Sequence, residues 1–214
     1  MTKVMSASEV ANNPSAEKFL SPSSRERILL AAKHLFARNG YENTSTVAIA
    51  REAGTSESQL MKHFGSKQGL LAAILDRGWA AVLERVRALP AEYRLGDRLF
   101  AMLEAVIIEM DHDAQLKELM TLEARRVRKD SRDVLMSHGY GQFTELLDAV
   151  LLDMRAQEQI RSDLNLEATR AALVGMVESL LRDQVVAGRS DLPAGYNFDD
   201  MRRLMRVLVP ALGS

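Results

Sequence analysis

The sequence predicts an all-α protein: a short three-helix block near the N-terminus, followed by a larger helical body. Three observations carry that expectation. Apolar residues recur at three- and four-residue intervals nearly throughout, and no run alternates as a half-buried strand would. No proline interrupts the chain between Pro90 and Pro193, as long helices require. Serine or asparagine repeatedly stands just ahead of an apolar stripe, where its side-chain oxygen can satisfy a free N–H of a helix start.

Each element has its own signal. Ser23 followed by Glu26 is a capping-box pattern, Ile28, Ala32, Leu35 and Phe36 form the stripe behind it, and Gly40 is the stop. A short helix is expected from about Thr46 to Ala53, with Val47, Ile49, Ala50 and Ala53 available for packing and Gly54 ending it. Ser56 and Gln59 repeat the capping pattern ahead of Leu60 and Phe64. Ser66 caps a fourth helix that carries Leu70, Ile74, Trp79, Val82 and Val86 and stops by Pro90. Stripes continue through Leu99 to Met110, then Leu116 to Met120, with an arginine-rich helix around 121–136. Gly139 and Gly141 are expected to bracket a turn before the stripe from Phe143 to Met154. Asn165 caps a long helix to about Ala187, and Asn197 caps the last, through Leu208.

Among 214 residues there is no cysteine, which excludes disulfides, thiolate nucleophiles and cysteine-based zinc sites. The formal net charge is -1, but it is unevenly spread. Residues 23–70 hold seven bases and four acids, a net of +3, whereas 71–214 hold 19 bases and 23 acids, a net of -4. A basic block ahead of an acidic body permits nucleic-acid binding by the block alone. Residues 1–22 lack the apolar stretch of a signal peptide and are expected to be a flexible extension. No apolar run approaches the ~18 residues of a membrane helix, so the expectation is a cytoplasmic protein with no membrane partner.

The stretch 23–70 carries the functional signal. Two short helices meet at Gly54-Thr55-Ser56, with Ile49, Ala50 and Ala53 as anchors before the turn and Leu60 and Phe64 after it. This is the arrangement of a helix-turn-helix, whose second helix enters the major groove of double-stranded DNA. With Leu60 and Phe64 inward, Glu57, Ser58, Gln59, Met61 and Lys62 are left for the outer surface. Gln pairs with adenine edges, Ser serves either base, and Lys or His contacts phosphate. The helix starts at Ser56 and Ser66 point backbone N–H groups outward, which also favours phosphate.

The run from Arg25 to Leu75 resembles the DNA-binding domain of the tetracycline-repressor (TetR) family. Ile28, Leu29, Ala31, Ala32, Leu35, Phe36, Gly40, Tyr41 and Thr44 match its first half. Ile49, Ala50, Ala53, Gly54, Ser56, Leu60, His63, Phe64, Lys67 and Leu70 match its second, without a gap. The likeness implies that Thr44, Ser45 and Thr46 begin the second helix and touch the DNA backbone. It implies that Ser58, Gln59 and Lys62 face outward on the recognition helix, and that His63 and Lys67 hold phosphate oxygens. Met61 stands where the family usually has tyrosine, which replaces an aromatic contact and a hydroxyl by a thioether able to touch a thymine methyl.

Plainer readings stand beside these. His63 outside the motif would be an ordinary surface or packed histidine. The basic run Arg125, Arg126, Arg128, Lys129 and Arg132 has acids among it and reads as a solvated helix face. Gly139-Tyr140-Gly141 is a lone GxG with no strand before it, hence not a nucleotide loop. Glu109 and His112 have the Glu-x-x-His spacing of helical-bundle metal sites, but no second pair exists, and no GxSxG, P-loop or HExxH occurs. The chain is therefore expected to be no enzyme, with no metal and no cofactor.

For residues 71–214 the resemblance implies a ligand-binding and dimerisation domain. Five of the 11 methionines, Met102, Met110, Met120, Met136 and Met154, fall where helices would surround a cavity. Methionine adapts to apolar ligands and to ordinary cores alike. Met102, Met110, Met120 and Met136, with His112, His138, Tyr140 and Phe143, are the ligand candidates. A homodimer would bind two half-sites of a palindromic operator. Its interface is expected on the last two helices, through the small surface of Ala171, Ala172, Gly175 and Met176 and through Leu180, Met201, Leu204, Met205 and Leu208. The expected output is repression relieved by a small-molecule effector. The alternatives are a DNA-binding regulator without an inducer (an activator or nucleoid-type factor) and a helical ligand-binding protein without DNA binding.

Overall fold

Ser23 starts the first helix as the capping box requires: its hydroxyl accepts from Glu26 N at 3.2 Å, and the Glu26 carboxylate accepts from Ser23 N at 2.9 Å. The computed structural model describes residues 22–122, 137–190 and 195–213. Residues 1–21 of the expected N-terminal extension and residues 123–136, which include Met136 and all but the first two residues of the expected arginine-rich helix, lie outside them. Within the described residues every regular element is helical: α1 (Ser24–Asn39), α2 (Thr46–Glu52), α3 (Glu57–Phe64), α4 (Lys67–Arg87), α5 (Leu95–His112), α6 (Ala114–Leu122), α7 (His138–Ala156), α8 (Leu166–Arg189), α9 (Phe198–Leu208) and a 3-10 turn (Pro210–Gly213).

Caps fall where the side chains dictate. Ser45, Ser56, Ser66, Asn165 and Asn197 each accept a backbone N–H three residues on. Gly40 ends α1 at φ 80°, a backbone region that side chains rarely adopt. Ser137, which sequence reasoning passed over, caps α7 by accepting from Tyr140 N at 3.2 Å. Gly139 and Gly141 therefore lie inside the first turn of α7 and do not bracket a turn ahead of it. The reason is packing: a Cβ on Gly139 would stand 2.4 Å from Trp79 Cβ, so only glycine lets α7 lie this close to α4. The Gly139 N–H donates to the Asp76 carboxylate at 3.1 Å.

α1 packs on α2, α3 and α4, with Ile28, Phe36, Ile49 and Leu60 fully buried among them. Each such side chain contributes roughly 1.5–3 kcal/mol. α2 buries Ile49 and Ala50, while Val47 in its first turn is 60% exposed and does not pack as expected. α4 packs on α1 and α3 at its start and on α5, α6 and α7 beyond. The boundary expected between residues 70 and 71 falls inside α4, and one continuous apolar core runs from Ile28 to Val209. α6 lies between the N-terminal block and the body, packed on α1, α4, α5 and α8. Among the described residues, no helix is long and apolar enough to cross a membrane.

Candidate functional site

At the turn between α2 and α3 the backbone reverses through Gly54 at φ 61°, and Thr55 N donates to the Ala50 carbonyl at 2.9 Å. Arg27 of α1 secures that corner, its Nε donating to the Ala53 carbonyl at 3.1 Å and a terminal nitrogen to Pro22 O at 3.0 Å. His34 and Glu52 add a contact of 2.7 Å between α1 and α2. α3 is held through its inner face and, at its first residue, by the Thr46 hydroxyl of α2. Leu60 is fully buried, and Phe64 is half-buried under the Arg25 guanidinium, 5.2 Å from its ring centre.

The outer face of α3 carries Glu57, Ser58, Gln59, Met61, Lys62 and His63, all exposed; Met61, at 41%, is its one large exposed apolar group. Ser56 caps the helix and Ser45 caps α2, so these two hydroxyls already hold Gln59 N and Ala48 N. Lys67 sits half-buried at the start of α4, its ammonium 4.3 Å from the Tyr41 ring centre. Two expected backbone contacts are occupied otherwise. Thr44 is buried at 3% exposure, its hydroxyl shared between the Leu35 and Gly40 carbonyls at 3.2 and 2.9 Å, so it fixes the α1–α2 turn and its side chain does not reach the surface. Thr46 donates its hydroxyl to a Glu57 carboxylate oxygen.

A second feature lies in the body. A cavity of about 50 Å³ is lined by residues of α4, α5, α6, α7 and α8 and of the α7 cap. Four of the predicted residues line it: Met110, Met120, Tyr140 and Phe143. The others described do not. Met102 is buried in the core away from the cavity, His138 is exposed beside Gln142, and the exposed His112 borders a separate crevice between α1, α4 and α5. Sequence reasoning missed Trp79, whose ring meets Tyr140 edge-on at 5.3 Å and Phe143 at 5.1 Å. It also missed the α8 wall, Val174, Val177, Glu178 and Leu181. An acid within that apolar stripe was the available signal. The hydroxyl of Thr121 is bonded to the Lys117 carbonyl at 2.8 Å, and Ser137 is buried at the α7 cap.

Charges tie the body to the N-terminal block. Lys33 of α1 meets the Asp113 carboxylate at 2.5 Å, and Asp113 also accepts Leu116 N at 2.9 Å at the start of α6. Burial pushes the Asp113 pKa up, but the Lys33 hydrogen bond and the backbone N–H outweigh it and hold the carboxyl below its ordinary range. Glu109 is paired with Arg85 at 2.7 Å, an ion-pair role in place of a ligand role, and the described residues contain no group of three His, Cys, Asp or Glu placed to hold a metal.

On the late helices, Ala171 and Ala172 are exposed, Gly175 has open space where a Cβ would stand, and Leu204 and Leu208 are exposed. Val207, unforeseen, adds to this face at 69% exposure. Met176 and Leu180 are half-buried against the core. Met201 and Met205 are fully buried in the subunit's own core, so they are not available to a partner.

The model of the bacterial regulatory proteins of the tetR family matches residues 28–74. The chain is 27% identical over 161 residues to the HTH-type transcriptional regulator UidR of Escherichia coli K12, covering 74% of this chain and 80% of that one. Among solved structures, the fatty acid degradation regulator FadR of Bacillus halodurans superposes with a TM-score of 0.76 at 16% identity, over 89% of this chain and 96% of that one. FadR of Bacillus subtilis in complex with stearoyl-CoA superposes with a TM-score of 0.75 at 18% identity, over 88% and 98%. At these identities the structural likeness is one of fold.

Proposed function

The chain belongs to the tetR family of bacterial regulatory proteins, and on that premise we propose that it is a homodimeric, cytoplasmic repressor that leaves a palindromic operator when a small apolar molecule enters its body. It is a DNA-binding transcriptional regulator, and its reading head in this proposal is the outer face of α3 with Ser45, Lys62, His63 and Lys67 around it. Half-sites would lie about 34–36 Å apart, or a multiple of that. The dimer would form through α8 and α9, across Ala171, Gly175, Leu204, Val207 and Leu208.

The observation that carries the effector reading is the position and apolar lining of the cavity. At about 50 Å³ it is far below the roughly 300–1,000 Å³ of ordinary ligand pockets, so an effector must part its walls. One wall is α6, through Met120 and Thr121. The other end of α6 is fixed to α1 through Asp113 and Lys33, and Leu116 lies against Gly78 of α4 so closely that a Cβ there would be 2.6 Å from its methyl. A displacement of α6 is thus passed to α1 and α4, which orient α3. The effector binds the conformation with parted walls better than the closed one, and its differential affinity is the whole of its effect. Linkage requires operator DNA to weaken effector binding by the same factor.

The apolar lining suits an acyl chain, the class of ligand that the Bacillus subtilis FadR structure contains. A mobility-shift titration with the chain's own upstream DNA, with and without stearoyl-CoA and free stearate, tests the reading. Binding in the absence of either and release by one of them is the expected result. Binding that no apolar metabolite relieves would leave a regulator without this effector; no binding would remove the regulator reading itself.

A further inference from the structure

We propose that Glu57 is a base-specificity determinant, whose carboxylate selects cytosine at one position of each half-site; this rests on α3 being the recognition helix. Glu57 is the first residue of α3, and the N-terminal residues of a recognition helix are those that meet base edges. It is the sole acid between Ala53 and Lys67, on a surface otherwise furnished with Lys62, His63 and Lys67. A carboxylate facing phosphates is repelled, so its presence needs a compensating donor.

The local bonding shows that Glu57 is aimed and is not serving as a cap. Ser56 already takes the Gln59 N–H at 3.2 Å. The Thr46 hydroxyl of α2 donates to Oε1 of Glu57, so a side chain that could have met phosphate instead holds the carboxylate. Among the described residues no donor is placed on Oε2, which leaves that oxygen for a group from outside. An ionised carboxylate only accepts. In the major groove guanine presents two acceptors, thymine an acceptor and a methyl, and adenine an amino group beside the N7 acceptor. Cytosine alone presents an amino donor with no acceptor on its own edge, and is the base this carboxylate fits.

The test is selection from a random duplex library by the full-length protein, in parallel with Glu57→Gln and Thr46→Val, with thermal midpoints recorded for all three. Wild type is expected to enrich a cytosine at one fixed position per half-site. Glu57→Gln, whose amide both donates and accepts, is expected to lose about tenfold of that preference and to leave other positions unchanged. Thr46→Val is expected to weaken the same position and no other. If Glu57→Gln selects the same bases as wild type, the proposal is overturned. It is equally overturned if the variant loses affinity uniformly with a lowered midpoint, for Glu57 would then be a helix stabiliser. A wild-type protein that enriches no sequence overturns the regulator reading, and this proposal with it.

Discussion

Gly139→Ala tests the close packing of α7 on α4. A Cβ at that position would lie 2.4 Å from Trp79 Cβ, 3.3 Å from its Cγ and 3.6 Å from its Cα. The nearest atoms belong to the root of a large side chain, and Trp79 is itself buried against Tyr140 and Phe143. Relief therefore requires about 1 Å of separation between α4 and α7, and overpacking of this kind costs about 1–3 kcal/mol. Alanine also gains helix propensity over glycine, about 0.5–1 kcal/mol, which would mask part of the cost. Gly141→Ala corrects for that gain: it lies in the same first turn of α7, yet a Cβ there meets nothing within 4 Å. Thermal unfolding of both variants at one protein concentration then isolates the steric term. At roughly 2–4 °C per kcal/mol for a chain of this size, Gly139→Ala is expected to melt about 6 °C below Gly141→Ala. Equal midpoints would refute the close packing of α7 on α4 and, with it, the account of why Gly139 sits inside a helix.

Other perturbations address the link, the reading head and the dimer. Lys33→Ala and Asp113→Asn should each cost about 1–2 kcal/mol and preserve DNA binding while shrinking the effector's influence on it, measured by operator titration with and without effector. Because the folded Asp113 pKa is depressed, its stabilisation is complete above the ordinary carboxylate range and is lost as pH falls through the folded value, so Asp113→Asn should flatten the acid limb of a stability profile below about pH 4. Lys62→Ala should weaken binding to all sequences and reduce the salt slope by about 1, whereas Gln59→Ala should cost about 1–3 kcal/mol at one base position; an unchanged salt slope would remove Lys62 from phosphate contact. On the proposed dimerisation through α8 and α9, wild type should sediment at twice the monomer mass and Leu204→Glu with Leu208→Glu at the monomer mass; a wild-type monomer, or an unchanged dimer in the variant, would refute that interface.

The local part of the fold was legible because it is written in local chemistry. Ser23, Ser56, Ser66, Asn165 and Asn197 cap through their own oxygens, three residues from the N–H each one serves, whereas Ser45, read only as a DNA contact, also proves to be a cap. The helix-turn-helix was legible for the same reason, since Gly54 and its flanking anchors lie within twelve residues of Leu60. Periodicity, however, marks which residues are apolar without saying which apolar surface covers them. Met201 and Leu204 share a helix and a spacing of three, yet Met201 is buried by its own subunit and Leu204 is exposed. The same blindness put Val47 inward, and read Gly139 as a turn where Trp79, sixty residues earlier, requires a helix with no Cβ.

The expected division between the two halves falls inside a helix, and that bears on function. Charge, motif and resemblance all change near residue 70, and a boundary there follows from any of them. The helix does not change: α4 carries Leu70 and Leu71 into the core beside Ile28 and Leu60, and Trp79 and Val82 into the core beside Phe143. Breaking α4 at residue 70 would expose an apolar stripe on both sides, so the proposed mechanism has one continuous element shared by both halves. A regulator needs that property. Two domains joined by a slack linker could each bind a ligand, but their free energies would not couple, because no shared element would have two arrangements for both ligands to bias. In the proposed mechanism, the boundary that composition marks most clearly therefore falls within a continuous helix, and α4 and the Lys33–Asp113 pair are the parts that would couple the two halves.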